Sequence, residues 1–162
     1  MADEKKEAVA NTSSIIFIAK LNLFDLVKNI FSKILIPKEV IEELFENNSP
    51  ENEIIKRELN NFLFEEKVNN IKELPIDDGE KAAISLCLEK RINLFLSDDK
   101  KARNYAKSLG IEVIGILGIL YYNFKEETIG KKEFLNFLNK LIENGYYMSP
   151  SLYNEIIQMI NS

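Results

Sequence analysis

The feature that most constrains this chain is a regular alternation of short apolar runs and helical patterns. It is clearest in the second half, where the pattern predicts a helix over 78–90, a strand over 92–96, a helix over 100–109 and a strand over 112–116. Strands that alternate with helices of this length are typical of βα units, in which successive strands run parallel. The sequence therefore predicts an α/β fold built on a parallel sheet.

The rest of the chain extends this pattern in both directions. Further predicted strands cover 8–10, 34–36 and 67–74, and further predicted helices begin after Asn11, near Asn22 and at Pro37 and cover 53–64, 117–126, 131–143 and the segment from Ser149. Capping side chains, prolines at first helical positions and glycines after helix ends support these assignments. We expect a three-layer fold with a central sheet of four to five parallel strands flanked by helices, plus C-terminal helices.

The length of 162 residues suits one compact domain with a single core. We expect that domain to cover 7–162, with 125–162 as a helical extension packed on it and 1–6 as a disordered N-terminus. The apolar runs fall far short of the roughly 20 residues that a membrane span needs. The first residues mix acids with lysines and lack the apolar core of a signal peptide. The sequence therefore predicts a cytoplasmic protein without a membrane segment.

Residue composition narrows the chemistry. The chain has no histidine and a single cysteine, Cys87, which argues against zinc sites, histidine-based triads and internal disulfides. Cys87 lies among apolar residues and is predicted to belong to the core. Any metal must rely on oxygen ligands, which Mg²⁺ and Mn²⁺ prefer. The net charge of -5 argues against broad, nonspecific adhesion to nucleic acid, but a local basic stripe is compatible with it.

Two adjacent acids follow the predicted strand 92–96. Ser97, Asp98 and Asp99 come directly after it, and ligands of open α/β sheets bind beyond the carboxyl ends of the strands. Neighbouring carboxylates repel each other unless a cation lies between them, so the pair indicates a metal site. The alternative is that Asp98 or Asp99 caps the helix that follows.

Glu80 has two interpretations that the sequence leaves open. Within residues 77–80 it has the spacing of a capping box, with Asp77 as the cap. It also lies one helical turn before Ala83 and Ile84, in a row that a buried helix turns inward. A carboxylate at that position needs a metal or a hydrogen-bonded partner.

Three further residues are ambiguous in the same way. Asn11 follows the first predicted strand, where its side chain either caps the next helix or ligates a metal through its carbonyl, and capping is the commoner role. Glu42 and Glu43 flank the apolar face of their helix almost equally, so periodicity does not choose between them.

Four basic residues, Lys100, Lys101, Arg103 and Lys107, crowd the predicted helix beside the Asp98 and Asp99 pair. They would suit a phosphate backbone that approaches a metal bound there. A solvated helix face is the alternative role for most of them.

Five stretches of sequence, in a fixed order, carry a resemblance to a known family. They are Asn11-Thr12-Ser13 with Ile15-Ile16 and Ala19-Lys20, Ile36-Pro37 with Val40 and Glu43-Leu44, Gly79-Glu80 with Ala82-Ala83-Ile84, Leu96-Ser97-Asp98-Asp99 with Lys101-Ala102-Arg103, and the tail from Gly145 to Tyr153. Their order resembles that of PIN-domain proteins, specifically a prokaryotic branch of predicted nucleic-acid-binding proteins. The resemblance covers nearly the whole chain and implies a PIN-like fold.

PIN domains generally act as Mg²⁺- or Mn²⁺-dependent ribonucleases, and many are toxins of toxin–antitoxin pairs. The resemblance implies catalytic roles for Glu80, Asp99, Asp98, Glu43 and Asn11, metal binding by Glu80, Asp99, Asp98 and Asn11, and nucleic-acid contacts by Ser13, Ser97, Lys100, Lys101 and Arg103. It also implies an RNA substrate, an antitoxin protein as partner and a homodimer. Asn11 departs from the family pattern, because active members carry an acid there. An amide lowers the charge of the site by one and cannot act as a base, although its carbonyl can bind a hard cation.

Three functions compete at this point. The first is a metal-dependent ribonuclease, because acidic clusters follow the predicted strands. The second is a PIN-like module that binds RNA or an antitoxin-like protein without efficient catalysis, because Asn11 replaces an acid and the net charge is -5. The third is a phosphate-accepting regulatory domain, which also gathers aspartates at strand ends. It is disfavoured because the aspartate pair follows a late strand.

Overall fold

The computed structural model describes residues 4–162. Its elements in chain order are β1 (Lys6–Ala10), α1 (Thr12–Lys20), α2 (Phe24–Lys28), β2 (Phe31–Pro37), α3 (Lys38–Leu44), α4 (Glu51–Glu58), β3 (Leu63–Glu66), α5 (Asp78–Lys90), β4 (Leu94–Leu96), α6 (Lys100–Ser108), β5 (Glu112–Ile114), α7 (Ile116–Lys125), α8 (Lys131–Glu143) and α9 (Pro150–Asn161). The chain forms two compact units that divide after Ile119. Within residues 4–162, no helix is both long enough and apolar enough to cross a membrane.

The first unit is built on a five-stranded sheet with the order β3-β2-β1-β4-β5. Every neighbouring pair of strands runs parallel, with registers such as Val9 opposite Phe95 and Ile34 opposite Leu63. Helices flank this sheet, and α5 packs on β1, β2 and β4. The predicted α/β fold with a central parallel sheet is therefore confirmed.

The strand order creates a switch point between β1 and β4. From β1 the chain proceeds to β2 and β3 on one side of the sheet, and then returns to β4 and β5 on the other. The backbone N–H of Asn11 donates to the carbonyl of Leu96 at 3.3 Å, so the carboxyl ends of β1 and β4 lie side by side. Ligands of open α/β sheets bind in the crevice at such a point. The fold thus brings together the two loops that begin at Asn11 and Ser97.

The core beneath this edge is apolar and close-packed. Val9, Leu35 and Phe95 from three adjacent strands form one buried cluster with Ala83 and Cys87 of α5. Burial raises the pKa of the Cys87 thiol to about 12, so the thiol stays protonated at neutral pH. The prediction that Cys87 belongs to the core is confirmed.

The third strand was predicted in the wrong place. The predicted helix over 53–64 ends early, because α4 stops at Glu58 and Asn60 adopts a left-handed φ of 65°. β3 then covers Leu63–Glu66, and the segment 67–74, which was predicted as a strand, has no strand pairing. Parallel pairing with β2 and complete burial of Leu63 override the local helical pattern.

Smaller differences concern element ends. Pro37 is the last residue of β2 and precedes α3, although a first helical position was predicted for it. Predicted helices over 78–90 and 131–143 agree with α5 and α8. Residues 1–3 of the predicted disordered N-terminus lie outside the described residues, and Lys6 is already the first residue of β1.

The second unit, Leu120–Ser162, contains the end of α7 followed by α8 and α9. The ring of Phe124 packs on that of Phe134, with 5.7 Å between the centroids. Ser149 caps α9 by accepting the backbone N–H of Leu152 at 3.1 Å, as predicted. The prediction that segment 125–162 packs on the remainder as part of a single domain stays a prediction.

Candidate active site

Asn11 lies at the end of β1 with both ends of its side-chain amide in use. Its Oδ1 accepts the backbone N–H of Ser14 at 3.2 Å and so caps α1, as the sequence indicated. Its Nδ2 donates to Ser97 Oγ at 2.9 Å, across the switch point. With 2% of its surface exposed, Asn11 has desolvated polar atoms that need these partners. Asn11 therefore ties the loop after β1 to the loop after β4.

Asp98 is held by groups on three sides. Its Oδ2 accepts the hydroxyl of Ser14 at 3.1 Å, and its Oδ1 accepts the backbone N–H of Ile116 at 3.0 Å. A Cβ added to Gly115 would lie 2.6 Å from Asp98 Oδ1 and 3.3 Å from a guanidinium nitrogen of Arg103. Asp98 thus joins the ends of β4 and β5 to α1, and only a glycine fits beside it.

Asp99 caps α6, which was the alternative that the sequence left open. Its Oδ2 accepts the backbone N–H of Ala102 at 2.8 Å, while its own N–H donates to Ser97 Oγ at 3.2 Å. The Ser97 hydroxyl is fully buried and receives hydrogen bonds from both Asn11 and Asp99. The Ser97 hydroxyl therefore positions the Asn11 side chain and the backbone of Asp99. The predicted contact between Ser97 and nucleic acid stays a prediction.

Glu43, and not Glu42, points toward this edge of the sheet. The hydroxyl of Thr12 donates to Glu43 Oε2 at 2.6 Å, which links α3 to the start of α1. A Cβ on Gly79 would lie 2.9 Å from Glu43 Cδ, so the carboxylate packs directly on the first turn of α5. Glu42 instead lies 3.9 Å from Lys38 on the solvated side of α3. Periodicity alone did not choose between the two glutamates.

Glu80 is the half-buried carboxylate at the centre of the arrangement. Burial of the side chain raises its pKa from the ordinary 4.5 to about 7. The neighbouring carboxylates of Asp99, Asp77 and Glu43 add to this rise, and a backbone hydrogen bond from Asp77 partly offsets it. Asp77 occupies the cap position of α5 without a side-chain capping bond, so only the Glu80 half of the predicted capping box forms.

These carboxylates line two adjoining clefts at the carboxyl edge of the sheet, which we name the acidic groove. One cleft of about 380 Å³ is lined by Pro75, Ile76, Asp77, Glu80, Asp99 and Lys101, and the other of about 260 Å³ by Asn11, Thr12, Ser13, Ile16, Glu43, Asp77 and Glu80. Asp77 and Glu80 belong to both. Four acids from three separate segments of the sequence thus line one groove at the switch point.

A larger cleft of about 480 Å³ lies at the opposite, amino-terminal edge of the sheet. Its charged lining mixes lysine and arginine with glutamate, including Lys6, Arg91 and Glu112. Ligands of parallel sheets bind at the carboxyl edge, and the acids with mutual electrostatic effects lie there. We therefore assign the candidate site to the acidic groove despite its smaller volume.

The predicted basic residues separate into different environments. Lys101 is exposed and lines the groove beside Asp99. Lys100, the first residue of α6, is also exposed, whereas Arg103 is half-buried next to Gly115. Ser13 is exposed at the edge of the second cleft. Of the four basic residues on this helix, Lys101 is therefore the one placed in the groove lining.

The donor set of the groove fits a hard divalent cation. Its ligand atoms are carboxylate, hydroxyl and amide oxygens, which Mg²⁺ and Mn²⁺ prefer. Burial is the main cause of the raised pKa of Glu80 and the neighbouring carboxylates add to it, and a bound cation would oppose both effects. Within residues 4–162, no three acidic or thiol side chains converge into a closed chelate. The acids line the groove without meeting at one point.

Comparison with known proteins identifies the family. A family model for DUF3368, described as a PIN domain, matches residues 7–162. The chain belongs to the PIN-domain family. The PIN fold is also seen in a PilT N-terminus domain protein from the hyperthermophilic archaeon Sulfolobus solfataricus P2, with a TM-score of 0.58 and 20% identity over 72% of this chain and 92% of that chain. The PIN domain endonuclease Utp24 is similar with a TM-score of 0.54 and 12% identity, over 68% of this chain and 84% of that one. No curated protein sequence matches significantly.

Several residues of this PIN domain were missed as parts of the site. Thr12 and Ser14 were given no place in the site, yet their hydroxyls donate to Glu43 and Asp98. Asp77 was assigned only a cap, yet it lines both clefts. Gly79 carries no side chain, and its importance lies in the space it leaves for Glu43. Of these residues, only Asp77 carries a signal in the sequence, because it is an acid three positions before Glu80.

Proposed function

We propose that this PIN-domain protein is a metal-dependent ribonuclease that cleaves phosphodiester bonds in the acidic groove. The observation that carries the proposal is the placement of Glu43, Asp77, Glu80 and Asp99 along one groove at the carboxyl edge of the sheet, where Asp99, Asp77 and Glu43 each act electrostatically on Glu80. Carboxylates in such a position have a function because their mutual repulsion disfavours them in a purely structural role.

Glu80 and Asp99 are the residues that would hold Mg²⁺ or Mn²⁺, with Glu43 and Asp77 beside them. The ion, when bound, polarises a phosphoryl oxygen and lowers the pKa of its water ligand, so no histidine is required. Asn11 contributes by position, because its amide fixes the loop that ends in Asp99 through Ser97. Asp98 braces the same loop against Ser14.

Lys101 supports RNA as the substrate. Lys101 lines the same cleft as Asp99 and is exposed, so its ammonium group is available to pair with a phosphate of a bound strand. A local cation of this kind allows an acidic protein to bind a polyanion, since the contact depends on nearby charges more than on net charge. The proposal does not depend on a toxin role, an antitoxin partner, a homodimer or a cytoplasmic location. Each of these stays a prediction.

The proposal is tested by incubating purified protein with a mixed single-stranded RNA pool in Mn²⁺, in Mg²⁺ and in chelator. The variant carrying Glu80→Gln with Asp99→Asn removes two groove carboxylates. The matched control carries Glu42→Gln with Glu53→Gln, which removes two exposed carboxylates on α3 and α4 that pair with lysines. We expect metal-dependent cleavage by the wild type and the control and none by the groove variant. Equal cleavage by all three proteins would indicate a contaminating nuclease and contradict the proposal.

A second candidate, a binding module without efficient catalysis, is favoured by the environment of Asn11. Both polar atoms of this amide are already bonded within the protein, and it supplies no negative charge. This candidate predicts that RNA binds in a Lys101-dependent manner while no fragments appear with either metal. Binding is measured by fluorescence anisotropy of a labelled RNA, with wild type compared with Lys101→Ala. Cleavage that disappears in the groove variant would exclude this second candidate.

A further inference from the structure

The segment between β3 and α5 has no regular structure, yet it is fastened along its length to α5. The backbone N–H groups of Asn69 and Asn70 donate to the two oxygens of Glu89, at 3.2 and 2.6 Å. The N–H of Lys72 donates to Ser85 Oγ at 2.8 Å. We name residues 69–77 the strap.

The fastening points form a single row. Ser85 and Glu89 are four residues apart and therefore neighbours on one face of α5, and Lys81 continues the row by one turn. Lys81 lies 3.7 Å from Glu73 of the strap. The strap thus runs antiparallel to α5, from the end of the helix back to its beginning. The Glu73 side chain is 90% exposed, so its long contact with Lys81 adds little, and the Glu89 carboxylate and the Ser85 hydroxyl are the main restraints.

The far end of the strap reaches the acidic groove. Pro75, Ile76 and Asp77 line the cleft that also contains Glu80 and Lys101. The row that holds the strap and the central carboxylate Glu80 belong to the same helix, α5. The cleft wall is thus fixed at Asp77, whose carbonyl accepts the backbone N–H of Lys81 at 2.9 Å, and the bonds to Ser85 and Glu89 restrain the chain that leads to it.

We propose that Glu89 and Ser85 are positioning residues that hold the strap as the substrate-facing wall of the acidic groove. The inference rests on the proposed ribonuclease function. Neither residue touches the groove itself, and both act through the backbone of residues 69–72. Release of the strap leaves Glu80, Asp99 and Lys101 in place but opens the wall against which an RNA strand lies.

The variants Glu89→Gln and Ser85→Ala test this role separately. The glutamine keeps the size of the side chain but offers only one acceptor oxygen to the two amides, and the alanine removes a buried hydroxyl without adding volume. The control Glu112→Gln makes the same charge change at the first residue of β5, on the opposite edge of the sheet. Two chemically different variants keep the test decisive if one of them folds poorly.

The measurements are amide hydrogen exchange of residues 69–72, the Kd for Mn²⁺ alone, and the KM and kcat for cleavage of a single-stranded RNA. We expect faster exchange in both variants and a KM about five- to tenfold higher, because the docked strap would then be populated for only about a tenth to a fifth of the time. The Kd for Mn²⁺ and kcat should stay within about twofold of wild type, since Glu80 and Asp99 lie outside the strap and Asp77, its last residue, stays attached to α5 as the cap residue of that helix.

Faster exchange with an unchanged KM would overturn the role of the strap and leave the ribonuclease proposal standing. A fall in kcat or in Mn²⁺ affinity without a change in KM would also overturn it, because the strap would then act on the carboxylates and not on the substrate. An inactive wild-type protein would instead signal failure of the proposed function, and the inference that rests on it would fall too.

Discussion

Replacing Glu80 with glutamine tests the electrostatics of the acidic groove without any metal. The folded-state pKa of Glu80 is about 7, above the ordinary 4.5. The folded protein therefore binds more protons than the unfolded chain between these pH values, and its stability falls as pH rises through this range. The contribution is fully present below pH 4.5 and is lost above pH 7. An amide does not titrate, so the Glu80→Gln protein escapes this loss.

The size of the effect follows from the shift and the exposure of the side chain. For a fully desolvated carboxyl the shift would correspond to about 3 kcal/mol. Glu80 is only half-buried, and solvent screening reduces this to about 1–2 kcal/mol. In a protein of this size such a difference raises the Tm of the metal-free variant at pH 8 by about 3–6 °C over wild type. Near pH 4 the two proteins should unfold together.

The assay is urea and thermal unfolding in chelator, from pH 4 to pH 8.5, followed by circular dichroism. The control is Glu42→Gln, whose side chain is 65% exposed and pairs with Lys38, so its difference from wild type should not vary in this way with pH. Subtracting the free energy of unfolding of wild type from that of each variant, at each pH, removes the effect of the titrations that all three proteins share. Parallel pH curves for wild type and Glu80→Gln would refute the raised pKa of Glu80.

Adding Mn²⁺ at pH 8 should reverse the order of stability. Metal at 100 times its Kd stabilises a folded protein by about 2.7 kcal/mol, and the glutamine variant should bind more weakly. Wild type would then unfold at the higher temperature. If Mn²⁺ stabilised both proteins equally, Glu80 would not be a ligand, whatever its pKa.

Three further predictions concern single residues of the groove. Asn11→Asp should lower the free energy of unfolding in chelator by about 1–3 kcal/mol, because it buries an added charge. The same substitution should raise Mn²⁺ affinity and cleavage. Unchanged cleavage would mean that Asn11 does not limit activity. Gly79→Ala should displace the Glu43 carboxylate and weaken Mn²⁺ binding in calorimetry by about tenfold, and an unaltered Kd would contradict the packing of Glu43 on Gly79. Lys101→Ala should reduce the slope of log affinity for RNA against log salt concentration by about 0.7–1; an unaltered slope would mean that Lys101 contacts no phosphate.

The helices and strands that were predicted correctly are those whose signals are local. α5 and α8 agree with their predicted ranges because capping residues, amphipathic periodicity and terminal glycine or polar residues coincide there. β3 was missed because its main determinant is distant in sequence, namely pairing of Leu63 beside Ile34. Its last two residues are glutamates at the edge of the sheet, which weakens the apolar signal of a strand.

The candidate site was predictable in part for a related reason. Asn11 directly follows β1 and Asp99 is the third residue after β4, so their place at the carboxyl edge follows from chain order. Chain order does not reveal the order of the strands in the sheet. Asn11 reaches Ser97 because β1 and β4 are neighbours in that sheet. Glu43 differs from Glu42 through its contacts with Thr12, 31 positions earlier in the chain, and with Gly79, and helical periodicity cannot reveal such distant contacts.

Asn11 explains how so many acids coexist at one edge of the sheet. Asp98 and Asp99 lie in the loop after β4, and each accepts a backbone N–H. An aspartate at position 11 would add a buried anion to this pair, beside a groove in which Glu80 already has a raised pKa. The asparagine keeps the same shape and bonds both loops without that charge. The hydrogen-bond network at the strand ends can therefore form before any cation binds. A bound cation then has one anionic ligand fewer, so metal affinity depends chiefly on Glu80, Asp99 and their neighbours.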